Sequence, residues 1–417
     1  MSEPRSIEGE VRAMARGGEA VVETSRGIVL VQGGLPGERI ELMVISSKRG
    51  ADRGRLKRVL RPSELRRSPP CPVASQCGGC PLMPGEESLQ REVKLGFLIE
   101  ACRGLPGADQ TRTAWVASPR AVGYRRRARF AWHRDVMGYR AFRSKRITNI
   151  EDCIVLTEPL RVAWSEVRRN VGKSLEGEGQ IQLELTETDR VVVSLESSVD
   201  QPPALYEACR ALAQHRGIAG VTLRTSGTGH SASWGNPEVM VEAETGPIRG
   251  PVGGFFQAND EVNVKLVRTV IDLAQPEGQR ILELHSGIGN FTIELAERAA
   301  KLIAVERDPQ AVQACRENLK QRGLRANVIA GDANQPPPGR FDVVVLDPPR
   351  QGAKSLFEDR RLLPGPKRVV YVSCDTATLA RDLRLATSKG YRIDQIIGFD
   401  MFPQTAHLES VVRLVRA

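Results

Sequence analysis

The sequence predicts a multidomain chain of mixed α/β and β class. A small β-barrel comes first, a mainly-β region second, and a doubly wound α/β domain last. Three observations carry this. Short apolar runs divided by glycine turns fill the N-terminal stretch, β-type runs rich in arginine and aromatic residues follow, and strands alternate with helices after Asn259. Regular alternation implies a parallel sheet with helices on its faces. The expected divisions are residues 1–65, 66–254 and 255–417.

In the first division Ile7–Val11, Glu19–Glu23, Gly27–Val31 and Arg39–Ile45 read as strands. Evenly spaced short strands suggest an OB-like barrel, a form that commonly binds oligonucleotides. The layout resembles a TRAM domain, an RNA-binding barrel often joined to RNA-modifying enzymes. A basic run follows: Lys48, Arg49, Arg53, Arg55, Lys57, Arg58, Arg61, Arg66 and Arg67. It is either a solvated face or an RNA contact; beside a barrel in a basic chain, RNA contact is the expectation.

Cys71, Cys77 and Cys80 stand among glycines and prolines, where rigid turns can aim several sulfurs at one point. Cys153 is the candidate fourth ligand. Four thiolates suit tetrahedral zinc or a cubane iron–sulfur cluster, and the spacing does not choose between them. Glu86–Gly104 has the apolar stripe of an amphipathic helix, with Cys102 as a packing residue. In Tyr124–Trp132 an extended chain puts Arg125, Arg127 and Arg129 on one face, opposite Tyr124, Phe130 and Trp132. Arginines bind phosphate and aromatic rings can stack on unpaired bases, although the aromatic face could equally be core.

The last division carries the chemistry. Arg280–Leu284 reads as a strand running into Glu283-Leu-His-Ser-Gly-Ile-Gly-Asn-Phe291, whose glycines let a ligand approach the backbone closely. A dinucleotide fold would use the same physics, but Glu283, Gly287 and Gly289 have the acidic-x-x-x-G-x-G spacing of S-adenosylmethionine enzymes. Glu306, ending the next strand, can grip ribose hydroxyls, and Asp332 can accept from an adenine amino group. Asp347-Pro-Pro-Arg350 makes a rigid turn with Asp347 facing the crevice. Arg368–Ser373 is a buried strand with Cys374 at its carboxyl end, a place for a nucleophile or for a core thiol. As a nucleophile, its thiolate would gain from the following helix N-terminus. Glu409, entering the final strand, is read as a general base.

Phe255-Phe-Gln-Ala-Asn259, the glycine loop, Asp347–Arg350, Ser373-Cys-Asp375 and Phe402-Pro-Gln-Thr-Ala-His-Leu-Glu409, in this order, resemble the uracil-5 RNA methyltransferase family almost end to end. The resemblance implies a class I, Rossmann-like methyltransferase domain with Cys374 as nucleophile and Glu409 as base. It implies S-adenosylmethionine held by His285, Gly287, Asn290, Glu306 and Asp332, with Gln257 and Asp347 holding the cofactor or the uracil edge. Cys71, Cys77, Cys80 and Cys153 are similar to the ligands of members that modify large-subunit ribosomal RNA and carry a 4Fe-4S cluster, which places zinc second. Two positions depart from the pattern: His285 stands where Phe or Tyr is usual, and Thr376 where Pro often follows the Ser-Cys-Asp turn.

A net charge of +10 and a pI near 9.4 favour an anionic partner, nucleic acid above all, and the resemblance implies 23S rRNA. Nothing in the sequence reads as a signal peptide or membrane span, so a cytoplasmic location and no obligate protein partner are expected. The rival readings are a transfer-RNA uracil-5 methyltransferase, a cytosine-5 RNA methyltransferase, and a non-catalytic RNA-binding iron–sulfur protein.

Overall fold

The computed structural model describes residues 6–46, 51–226, 229–358 and 365–417. Strands β1 (Ser6–Met14), β2 (Glu19–Thr24), β3 (Gly27–Gln32), β4 (Arg39–Ser46) and β5 (Asp52–Arg61) form a closed barrel in the order β1-β2-β3-β5-β4. Alternation sends Ala20, Val22, Val29, Val31, Ile40 and Leu42 inward. The fifth strand was read only as a charge run. Its basic residues point outward and pair across the barrel: Lys57 and Arg58 reach Glu41 at 3.2 and 2.6 Å. The hydrogen bond from Arg58, with that from Lys57, holds the Glu41 carboxyl down at about 2. Much of this run is therefore a paired, solvated face; Lys48 and Arg49 lie outside the described residues.

Helix α1 (Glu87–Cys102) leads to β6 (Thr113–Val116). The central sheet then forms from β7 (Arg127–His133), β8 (Val136–Arg140), β9 (Ile147–Asn149), β10 (Glu178–Leu185), β11 (Val191–Ser197), β12 (Ile218–Thr225) and β13 (Ser231–Gly235). Its order is β13-β12-β11-β10-β7-β8-β9, with α2 (Glu158–Asn170) and α3 (Pro203–Leu212) packed on one face. Phe130 and Trp132 are fully buried there, and Phe130 stacks on Trp164 at 3.7 Å between ring centroids. The aromatic face is core. Base stacking on these rings would mean opening a packed interior.

After the hairpin β14 (Val239–Val241) and β15 (Ile248–Gly250), helices α4 (Asp260–Ala274), α5 (Thr292–Arg298), α6 (Pro309–Gln321), α7 (Lys354–Glu358) and α8 (Thr376–Ser388) flank the last sheet. Its strands are β16 (Arg280–Leu284), β17 (Lys301–Glu306), β18 (Asn327–Ala330), β19 (Val343–Leu346), β20 (Arg368–Ser373), β21 (Tyr391–Phe399) and β22 (Glu409–Arg416), and β6 joins them. The order is β18-β17-β16-β19-β20-β22-β21-β6. Only β22 runs against its neighbours. Strand β6 comes from far upstream and lies parallel to β21, from Thr113 beside Ile396 to Val116 beside Phe399. Chain direction across the sheet reverses between β16 and β19, where open α/β sheets leave a ligand crevice. Among the described residues no helix is long and apolar enough to cross a membrane.

Candidate active site

The antiparallel pairing of β20 with β22 sets Ser373 opposite Ser410. The next residues along each strand, Cys374 and Glu409, therefore meet at the sheet's end. The Ser410 hydroxyl donates to the Ser373 carbonyl at 3.0 Å and fixes that register. Burial, then the Glu409 and Asp347 carboxyls, push the Cys374 thiol up to about 12, with the Arg350 cation opposing. The expected help from the α8 N-terminus is outweighed. Asp375 takes the Ala377 and Thr378 amides at 2.9 and 3.0 Å, so those donors are already satisfied. Burial also raises Asp347 to about 7, and burial plus Asp347 lift Glu409 well above the carboxylate range. Both carboxyls thus hold their protons more tightly than in water, and the thiol is harder to ionise than a free cysteine.

A cavity of about 850 Å³ opens at the crevice and is lined by Gln257, His285, Gly287, Asn290, Glu306, Asp332, Asp347, Cys374 and Glu409, among others. All seven expected cofactor residues are thus brought together with both expected reacting groups. At Gly287, φ is +56° and an added Cβ would meet nothing within 4 Å, so the backbone there faces open space. His285 also has positive φ, +64°, and its buried Nε2 has no partner. Burial lowers the His285 pKa, leaving a neutral ring in the cavity wall. The Glu306 carboxylate accepts from the amides of Gly287 at 2.9 Å, Arg307 at 2.7 Å and Asp308 at 2.8 Å. It therefore clasps the glycine loop to the end of β17 as well as facing the cavity. Asp332 accepts from the Asn334 amide at 2.9 Å, which lowers its pKa, and Asn290 exchanges two amide hydrogen bonds with Asn263 at 2.9 and 3.1 Å.

A second cavity, of about 740 Å³, shares Gln257, Arg350, Cys374 and Glu409 with the first. Cys71, Cys77, Cys80 and Cys153 line it with Arg125, Arg127 and Arg129. The cysteine loop, remote from Cys374 in sequence, therefore faces the same space. All four thiols are free, and among the described residues no three His, Cys, Asp or Glu side chains are set to hold a metal ion. The expected ligand set converges on one cavity without closing into a coordination shell. Burial and the neighbouring thiols raise Cys80, and burial pushes Cys153 up to about 11.

Sequence reasoning missed three groups. Arg350 lines both cavities and makes no hydrogen bond or ion pair among the described residues. Phe255 stands 73% exposed at their junction, with the Arg127 guanidinium 5.9 Å from its ring centre. Asn263 lies one helical turn beyond Asn259, a spacing that could have flagged it.

A family model described as methyltransferase small domain matches residues 261–359, and one described as tRNA (uracil-5-)-methyltransferase matches residues 339–417. A 23S rRNA (uracil(1939)-C(5))-methyltransferase of Pectobacterium atrosepticum is 35% identical over 94% of this chain and 90% of its own length. One of Pseudomonas entomophila, named alike, is 32% identical over 94% and 91%. Among solved structures, the Pyrococcus abyssi tRNA (uracil-54, C5)-methyltransferase in complex with S-adenosyl-L-homocysteine aligns with a TM-score of 0.77 and 26% identity. That alignment covers 98% of this chain and 99% of the other. Together with the site's geometry, these likenesses show that the chain belongs to the RNA uracil-C5 methyltransferase family.

Proposed function

We propose that this protein uses S-adenosylmethionine to methylate C5 of a uridine in 23S rRNA. The observation that carries the reading is the meeting of Cys374 and Glu409 where the two cavities join. One cavity has the dimensions and polar lining for a nucleoside cofactor, the other for an extruded base. The cofactor fits the residues present: the open backbone at Gly287 faces its cavity, and His285 stands in the wall beside it. Glu306 would take the ribose, Asp332 the adenine amino group, with Asn290, Gln257 and Asp347 completing the wall. When bound, it supplies a methyl group on a sulfonium leaving group.

Cys374 Sγ adds to uracil C6, which makes C5 electron-rich enough to take the methyl group. Glu409 then accepts the C5 proton, and expulsion of Sγ restores the ring with 5-methyluridine as product. Burial and the Asp347 carboxyl raise the proton affinity of Glu409, so its carboxylate form is a stronger base for that transfer than one in water. The large-subunit target rests on the names of the relatives that match end to end.

The barrel of residues 1–65 is proposed as a TRAM-like RNA-binding domain, 66–254 as the central RNA-binding domain, and 255–417 as the Rossmann-like catalytic domain. The four cysteines are proposed to bind a 4Fe-4S cluster, supported by four soft donors on one cavity wall with the Arg125 cation as counter-charge. A cytoplasmic location follows from the substrate. Nucleoside mass spectrometry of ribosomal and transfer RNA, from cells with and without the gene, tests the function. Loss of 5-methyluridine at one large-subunit site is expected. Loss confined to transfer RNA would move the target, and no loss anywhere would overturn the reading.

A further inference from the structure

A third cavity, of about 390 Å³, lies beside the first two and belongs to neither. Four separate parts of the chain build its walls. Gly17 comes from the barrel, Gly78, Gly79 and Pro81 from the cysteine loop, Arg140–Arg143 from the turn after β8, and Arg350 with Thr405–His407 from the catalytic region. The backbone segments are in close contact. Cys77 bridges Ala141, and a Cβ at Gly78 would fall 2.9 Å from the Phe142 backbone.

The lining holds three arginines and no acidic residue. Arg140 is exposed and gives one hydrogen bond, to the Lys145 carbonyl at 3.0 Å, with no carboxylate partner among the described residues. Arg143 reaches buried Glu19 at 2.9 Å, but Arg53 shares that carboxylate at 3.2 Å, so the cluster stays net positive. Arg350 has no partner among the described residues and also lines both other cavities, so it joins this basic cleft to the two spaces that Cys374 lines. His407 shows the same field: burial, then Arg350, Lys94 and Arg125, lower its pKa to about 4. Its ring reaches the surface yet is hemmed in by cations. Guanidinium groups in excess of the carboxylates around a small polar cleft suit an oxyanion with several acceptor atoms.

We propose that this cleft is a phosphodiester subsite, in which Arg140 and Arg143 grip an RNA backbone phosphate next to the extruded uridine while Arg350 closes the inner end. The inference rests on the proposed RNA substrate and adds a location to it. A base swung out of its stack must carry its own backbone linkage toward the crevice. A fixed anion site at the rim would hold that linkage, and would hold RNA without touching the base.

The test uses the full-length protein and an RNA oligonucleotide that the wild type methylates. Single phosphodiesters around the target uridine are replaced in turn by uncharged methylphosphonates. One linkage adjacent to the target should raise KM about tenfold in the wild type with little change in kcat, the size expected for one charge-assisted contact. In R140Q/R143Q that same replacement should cost nothing further. The variant's affinity for unmodified RNA should fall less steeply with salt, the slope dropping by about 0.7 for one single-strand phosphate contact. R140K/R143K should restore most of the slope, and S-adenosylmethionine affinity should stay unchanged in every variant. A wild type that methylates normally, with no linkage behaving differently between wild type and R140Q/R143Q, would overturn the subsite while leaving the proposed function intact. A wild type that methylates no uridine-containing RNA would overturn both. Inhibition by free phosphate at millimolar levels without any linkage effect would mark an anion site unrelated to RNA, and equally ends the proposal.

Discussion

Cys374 sits in surroundings that oppose its own ionisation, and this decides how single substitutions should behave. With burial and two carboxyls holding the thiol near 12, little thiolate exists before substrate arrives. C374A should show no turnover and trap no RNA, whereas E409Q should form the RNA adduct and release it at least a hundredfold more slowly. Denaturing gels with labelled RNA separate the two, and a C374A protein that still turns over would end the nucleophile assignment. Asp347 raises both neighbours. D347N should therefore shift the rising limb of kcat/KM against pH toward acid, even as the absolute rate falls. An unmoved limb would mean that the carboxyls titrate independently. Glu283 offers a stability test. It is buried near the end of β16, and burial raises it to about 8 against the opposing pull of the Thr292 hydroxyl. Its folded pKa exceeds the unfolded value, so its contribution is complete at acid pH and is lost as pH rises from about 4.5 through about 8. E283Q should flatten the alkaline decline, gaining on the order of a few kcal/mol over wild type at pH 9 by urea unfolding. Parallel stability curves for the two proteins would refute this.

The element that positions Glu409 is the loop 400–408, and helix α1 holds it. Lys94, wholly buried on α1, donates to Asp400 at 2.6 Å and to the Phe402 carbonyl at 2.9 Å. Gln90, one turn earlier, accepts from the Gln404 amide at 2.9 Å and donates to its side-chain oxygen at 3.0 Å. Arg67 donates to that oxygen too, and Tyr124 to the Pro403 carbonyl, both at 3.0 Å. Gln404 adopts φ of +70°, a conformation that a non-glycine residue keeps only under such constraint. K94A strands one carboxylate and opens a void. About 2–3 kcal/mol should be lost, short of a fully buried pair because Asp400 is partly solvated. The kcat should fall more than S-adenosylmethionine affinity, since the loop leads to the proposed base. Equal losses in both would make α1 a general scaffold rather than a mount for Glu409.

At the scale of the molecule, the barrel is packed into the rest. Leu82 of the cysteine loop and Ala406 of the catalytic loop belong to the barrel's apolar cluster, and the Leu82 amide donates to the Gln404 carbonyl at 3.0 Å. Pro81 fills the space beside Gly18, whose φ of +81° leaves no room for a side chain. L82A should cost about 2–4 kcal/mol. Hydrogen exchange should quicken in both the barrel strands and residues 400–408, because one side chain ties them. Faster exchange confined to the barrel would show the two to be independent.

Much of this architecture was legible in the chain. Period-two alternation in the barrel strands, the α/β alternation after Asn259, and the turn residues around Gly287 and Asp347 are local properties, fixed by backbone sterics and side-chain burial. So were His285, Glu306, Asp332 and Asp347 in the wall of the proposed cofactor cavity, because each lies at or just beyond a strand end, and strand ends converge in a parallel sheet. Other features were invisible because they depend on segments far apart in sequence. Arg53–Arg61 read as a charge run because a barrel strand with outward arginines has lost its apolar signal. Thr113–Val116 could not be assigned to the last sheet, since only β21 supplies its partner. The cysteine loop's approach to Cys374, the α1 clamp on Gln404 and the arginine cleft all arise from packing between remote segments. The sequence by itself determined which groups could react and which strands could form. The tertiary structure decided which charges go unpaired and what surrounds the thiol, because burial and Coulomb interactions depend on distance in space rather than along the chain.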